Sequence, residues 1–317
     1  MTENQAENQT VPLRRRCGAH DVDARLRASD PAYARAQEEL EEATGRRGPM
    51  DQRPGCRQLT VVVHVVHRTE EENLSVEQVQ SQIDVLNRDF RATNPDREDT
   101  PEPFQDLVAD AHVTFVLATT DPDGNPTDGI TRTQTDQETF SSDTDAVKSS
   151  ATGGADPWPS DSYLNLWTCA GLQSDAGDAL LGYAQFPGGP AETDGVVILH
   201  SAFGTTGTVT APFDLGRTST HEIGHWLNLR HIWGDDGTGC SGTDFVDDTP
   251  NCGGPNYGRP EFPSVTCDNG PDGDLFVNYM DYTDDAGMVM FTGGQVVRMQ
   301  AALDGLRSSL ATDVDCE

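Results

Sequence analysis

Eleven residues constrain this chain more than any other stretch: His221-Glu-Ile-Gly-His-Trp-Leu-Asn-Leu-Arg-His231. His221 and His225 are four apart, so one helical turn places both imidazoles on the same face. Glu222 sits beside the first of them, placed to poise a water rather than to bind an ion. H-E-x-x-H on a helix is the pattern in which two histidines hold Zn²⁺ and the glutamate is the general base. His231 follows six residues after the second histidine, and a continuous helix cannot aim it at the same ion. The chain must therefore turn, and Asn228 lies where the turn falls. Asn is among the few residues besides Gly that tolerate a left-handed backbone. Three neutral imidazoles leave one tetrahedral position open, which is the catalytic rather than the structural zinc arrangement. The competing explanation, a helix with incidental surface histidines, is weakened by the third histidine at this spacing.

Other elements can be placed around that stretch. Residues 1–12 are polar and read as disordered. Asp30 and Pro31 open a helix that Gly45 stops, and its few apolar residues suit a detachable segment. Gly45–Gly55, with three arginines and two prolines, reads as a linker and a cleavage zone. Leu59–His67 is β-branched throughout and reads as a buried strand, with His64 and His67 as sheet residues. Ser75 and Gln78 form a capping box for a helix whose buried face is Val76, Val79, Ile83, Leu86 and Phe90. Ala111–Thr119, Tyr163–Ala170 and Gly195–Ala202 read as strands, and Pro122–Asp128 and Gly153–Pro159 as loops. Cys169 falls within a strand as a buried apolar filler. Thr218 and Ser219 are the expected caps of the zinc helix. Thr292 and Gln295 form a second capping box, starting a C-terminal helix. Strands separated by a helix imply a mixed α/β sheet.

Charge excludes several partners. The chain carries Lys+Arg 21 against Asp+Glu 53, a net charge of −32. Residues 1–56 hold 9 Arg and 10 acids, so nearly all of the excess, −31, lies in residues 57–317. Such a surface repels nucleic acid and anionic membrane, so neither is expected as a partner. We read the excess as adaptation to high salt, where screening removes self-repulsion, rather than as plain solubility. No run approaches 18 apolar residues, so no membrane-spanning helix is expected. Arg14-Arg15-Arg16 is followed by Cys-Gly-Ala-His-Asp rather than an apolar run, so no signal peptide is visible. Seven cysteines leave at least one outside any disulfide, and Cys56 and Cys316 have no evident partner.

The chain resembles the metzincin metallopeptidases, whose extended motif is H-E-x-x-H-x-x-G-x-x-H followed by a Met-turn. His221–Gly234 (HEIGHWLNLRHIWG) and Val277–Asp285 (VNYMDYTDD) are most similar to the pappalysin type, of the ulilysin kind. Asn228 stands where the clan usually has Gly. The resemblance, from about Leu59 to Leu310, implies that Met280 is the Met-turn residue and that Tyr282 reaches the zinc site. It implies a Cys240–Cys267 disulfide. The family's second disulfide would end at Gly287, which leaves Cys252 unpaired. Calcium is expected in the loop Cys240–Pro250, through Asp244, Thr249 and main-chain carbonyls, which are hard oxygen ligands. Asn251 is a weaker ligand there than an acid. Related enzymes also carry a pro-segment whose cysteine occupies the open zinc position. Cys17 suits that role, because flanking arginines lower a thiol's pKa and only the thiolate binds metal. Those arginines could lie along the acidic cleft as a basic substrate would. Some relatives favour Arg or Lys after the scissile bond through an acid just beyond the Met-turn, a position that Ala286 holds here.

The expectation is thus an α/β metzincin-type catalytic domain. A twisted mixed sheet and the active-site helix form its upper half; an irregular lower half carries the Met-turn and C-terminal helix. Residues 1–56 would be a pro-segment with cysteine switch and linker, and 57–317 the catalytic domain. The expected activity is endopeptidase hydrolysis of protein or peptide substrates, with a metal-bound water and Glu222 as base, from a latent zymogen. A monomer is expected, and an extracellular site is what the family implies. The rival reading is a non-catalytic, calcium-stabilised binding module with a vestigial zinc site. Glu222 argues against it, since a structural site has no use for the base.

Overall fold

In the computed structural model, residues 14–48, 52–53, 55–237 and 239–316 are described. Residues 1–12, expected to be disordered, lie outside these, as do Pro49–Asp51 and Pro54 of the expected linker.

The spine is β1 (Cys56–His67). Every residue from Val61 to Val66 is buried, as expected of a strand covered on both faces. On one side it pairs in parallel with β2 (Val113–Leu117) along its first half and with β3 (Ile130–Gln134) along its second. After a two-residue strand β4 (Phe140–Ser141) comes β5 (Leu164–Cys169), which pairs in parallel with the other side of β1. A short β6 (Leu172–Gln173) joins β4. The sheet continues from β5 to β8 (Val196–Leu199), in parallel, and ends in β7 (Gly182–Ala184), an edge strand antiparallel to β8. At the far end of the chain, β9 (Ala311–Val314) returns antiparallel to the start of β1.

Cys56 and Cys316, unassigned from sequence, are bonded to each other across this return. Cys56, the last residue of the expected pro-segment, also begins β1. Cys240 and Cys267 are bonded as the resemblance implied, while Cys252 is buried and free.

Two helices precede the sheet. The first, α1 (Ala19–Ser29), was not anticipated; the second, α2 (Pro31–Gly45), is capped by Asp30, whose carboxylate accepts from the amides of Ala32 and Tyr33. Together they bury more than the sequence pattern suggested: Ala19, Val22, Leu26 and Tyr33 join the main apolar core. A third helix, α3 (Val76–Asp89), packs on β2. Ser75 caps it by accepting from the Gln78 amide, 3.1 Å. The Gln78 side chain does not close the box. It donates instead to Phe203 O and Thr208 Oγ1, both 2.9 Å. Val76, expected on the buried face, is exposed at 46%. The helix α4 (Arg217–Trp226) lies wholly buried against β7, β8 and α3. Finally α5 (Gly293–Asp304) begins with the expected capping box of Thr292 and Gln295.

Candidate active site

His221 and His225 leave the same face of α4, and the helix stops at Trp226. Asn228 makes the turn in the left-handed region, with φ 75°. The turn sends His231 back so that the three imidazoles converge. The Nε2 of His225 lies 3.1 Å from both other Nε2 atoms. Each opposite ring nitrogen faces an oxygen: His221 Nδ1 to Tyr279 O, 2.7 Å; His225 Nδ1 to Leu229 O, 2.8 Å; His231 Nδ1 to Asp235 Oδ1, 2.6 Å. Carbonyls and a carboxylate accept only, so each Nδ1 carries the proton and each Nε2 presents a lone pair. Three lone pairs pointing together repel unless a cation lies between them. Burial, with the neighbouring imidazoles, holds His221 and His225 well below the usual histidine range, so a proton does not fill that need. Burial would raise Asp235, yet the His231 imidazole beside it holds that carboxylate at about 2. The donor set therefore fits zinc, with the outer hydrogen bonds that fix ligand tautomers already made.

The lower side is built by the turn after Phe276. Tyr279 supplies the carbonyl that orients His221, and Met280 is fully buried beneath the histidines. A Cβ on Gly224 would meet Met280 Sδ at 2.5 Å, so only glycine lets the helix and the methionine approach this closely. Tyr282 flanks the histidines, its ring centre 4.9 Å from that of His231 and 5.7 Å from that of His221.

Glu222 is buried in the same space, and burial pushes its carboxyl up to about 8 against the pull of Cys17 and Arg15. Gly182 on β7 makes room for it, since a Cβ there would stand 2.9 Å from Glu222 Cγ.

Cys17 enters from the N-terminal segment. Its Sγ and the three Nε2 atoms all lie within 4.8 Å of one another. The thiol donates to Glu222 Oε2, 3.2 Å. The main chain of Arg16–Gly18 adds a short parallel pairing to β7: Gly18 N to Gly182 O and Leu181 N to Arg16 O, each 3.0 Å. The Tyr282 hydroxyl accepts from Cys17 N, 3.2 Å. Neighbouring arginines do not depress this thiol as the sequence suggested. Arg16 reaches Asp178 and Arg15 turns away, so burial and Glu222 push Cys17 well up.

Arg15 explains another misreading. Its guanidinium is buried, 2.5 Å from Asp285 Oδ1, and also donates to Thr218 Oγ1 and Thr283 O, both 3.1 Å. It lies 5.2 Å from the centre of the Phe213 ring. The other Asp285 oxygen accepts from the amides of Leu215, 2.8 Å, and Arg217, 3.2 Å. The start of α4 is thus held by a carboxylate from beyond the Met-turn. Thr218 and Ser219, the expected caps, lie inside the helix behind Gly216. Ala286 is not acidic, yet Asp285 beside it supplies the carboxylate.

Asp244 and Thr249 do meet. Asp244 is buried and accepts from Thr249 Oγ1, 2.7 Å, and from the Val246 amide, 3.1 Å. Sequence reasoning missed Asp285, Asp235, Gly182 and the Tyr279 carbonyl. Only Asp235, four residues after His231, left a local signal.

A twisted, mostly parallel sheet above a helix with converging histidines, and a methionine turn below, define the metzincin class of metallopeptidase. Residues 147–304 match the profile of the pregnancy-associated plasma protein-A family. Mature mirolysin of Tannerella forsythia, solved with a cleaved peptide, is 50% identical with a TM-score of 0.78, over 81% of this chain and 96% of that one. A glutamate-to-alanine mutant of promirolysin from the same organism is 46% identical with a TM-score of 0.85, over 93% and 97%. Extracellular metalloprotease 1 of Coccidioides posadasii is 43% identical over 136 residues, 40% of this chain and 46% of the relative. The chain spans about half the length of the curated relatives it matches. It belongs to the pappalysin-type family of metallopeptidases, for which a zinc ion is implied.

Proposed function

We propose that the protein is a zinc-dependent endopeptidase of the extracellular space, held latent by residues preceding Cys56. The single observation that carries this reading is the convergence of three imidazole lone pairs beside a buried glutamate. His221, His225 and His231 would hold the zinc through Nε2, with Cys17 as a further ligand in the latent form. When bound, the zinc supplies Lewis acidity and brings the pKa of a water near neutrality. Glu222 accepts the proton of the attacking water at its carboxylate and returns it to the leaving amine. Tyr282, freed from the Cys17 amide once the segment leaves, donates a hydrogen bond to the oxyanion that develops on the scissile carbonyl. The open edge of β7 then pairs with an extended substrate, as it now pairs with Arg16–Gly18. The peptide in mature mirolysin supports protein or peptide substrates here too.

Arg15 stands where a basic substrate side chain would lie. Its departure leaves Asp285 buried without a cation, which is costly, roughly 3–5 kcal/mol for a broken buried pair. An Arg or Lys of the substrate offsets that cost. Calcium at Asp244 and Thr249 also belongs to this proposal. Its support is a buried carboxylate whose own partners are a hydroxyl and an amide.

The test uses the full chain activated by a cut in the linker. Glu222→Ala should retain about one zinc per chain and lose roughly a hundredfold or more of casein hydrolysis. Removal of zinc from the wild type should abolish hydrolysis, and zinc should restore it. Undiminished cleavage by Glu222→Ala would remove the base from this account.

A further inference from the structure

Beside the Asp285 pocket lies a cavity of about 350 Å³, lined by Arg14, Arg15, Pro212, Tyr257, Gly258 and Asp284. The Arg14 guanidinium carbon stands 5.0 Å from the centre of the Tyr257 ring, within the range of a cation–π contact. Tyr257 is 38% exposed, and its ring centre lies 6.0 Å from that of Tyr282. This wall therefore adjoins the cleft. Asp284 is fixed on the same cavity by its amide, which donates to Gly258 O, 2.8 Å. A bridge between Gly258 and Thr283 ties the tyrosine segment to the aspartate segment. Two consecutive arginines thus occupy two adjoining places of different character. Arg15 fills a closed one with a buried carboxylate; Arg14 lies in an open one with an aromatic face and an acid.

We propose that this cavity is a subsite for a second cationic side chain. The activated protein then favours substrates with two consecutive basic residues, one against Asp285 and the next on Tyr257 beside Asp284. The inference rests on the reading that Arg15 marks the place of a substrate side chain. Arg14 and Arg15 are consecutive and reach both places, so a substrate running the opposite way sets its first basic residue against Asp285 and the next on Tyr257. Because the second site is open to solvent, screening keeps its contribution small, so it grades substrates rather than admitting or refusing them.

The test measures kcat/KM for three peptides that differ only at two positions, Arg-Arg, Arg-Ala and Ala-Ala, with the full chain activated in its linker. The Arg-Arg peptide should exceed Arg-Ala by roughly three- to tenfold. Tyr257→Leu and Asp284→Asn should each bring that ratio toward one, and either variant alone is sufficient if the other fails to fold. Equal rates for Arg-Arg and Arg-Ala in the wild type, or a ratio unmoved in both variants, overturns the subsite alone. Equal rates for Arg-Ala and Ala-Ala instead strike the Asp285 reading, and the subsite falls with it.

Discussion

At the scale of single residues, the site is a set of commitments that leave one need unmet. Each of the three histidines gives its Nδ1 proton to an oxygen, and what remains is three lone pairs within reach of a thiol. The histidines, Glu222, the Asn228 turn, Met280 and Tyr282 were legible because they lie at fixed offsets in two short stretches. Gly224 was in view as part of the motif, but its reason was not: the close approach of Met280 Sδ appears only in three dimensions. Arg15 and Asp285 were less legible still. They are 270 residues apart, and nothing local marks a buried ion pair of that separation. Cys17 lies within reach of the histidines, but not for the reason its neighbours suggested: the adjacent arginines point to different carboxylates, leaving the sulfur among buried and acidic groups.

At the scale of elements, strong periodicity was readable and weak periodicity was not. The long strand β1 and the helix α3 follow from their apolar patterns. By contrast α1 has only Ala19, Val22 and Leu26 as apolar buried positions. The strands β7 and β9 are short, and β9 holds Thr312 and Asp313 exposed, so neither reads as a sheet strand. The Cys56–Cys316 bond depends on β9 returning to β1, a contact across 260 residues. The loop closed by Cys240 and Cys267 carries a prediction of its own. Burial pushes the Asp244 carboxyl up to about 7, and Asp281 likewise to about 7, from an ordinary value near ~3.9. The folded chain therefore binds protons that the unfolded chain has already released. The stability they contribute is complete at low pH and lost as pH rises through about 7. Calcium favours the ionised Asp244. In calcium-free buffer with zinc retained, the melting temperature should fall between about pH 6.5 and about pH 8.5. Millimolar calcium should raise it by several degrees at the higher pH and by less at the lower. An equal rise at both, or none, removes calcium from Asp244.

At the scale of the whole molecule, the N-terminal segment and the sheet form one packed body. Cys17 is only one of its anchors. Arg15 lies in the Asp285 pocket, and Glu41 of α2 pairs with Arg298 of α5 at 2.7 Å. Around that body the net charge of −32 was legible from composition alone. If it is a salt adaptation, the melting temperature rises from low salt to about molar KCl with zinc and calcium fixed, as screening relieves self-repulsion. A flat or falling curve returns the charge to plain solubility. We propose that Arg15 and Cys17 block an endopeptidase site whose other residues are already in place. Casein hydrolysis by the full-length chain, without any activator, tests it most directly. The wild type should be silent, while the chain carrying both Arg15→Ala and Cys17→Ala should cleave casein until zinc is removed. A double variant that holds its zinc, yet stays as silent and as intact as the wild type, would contradict the account.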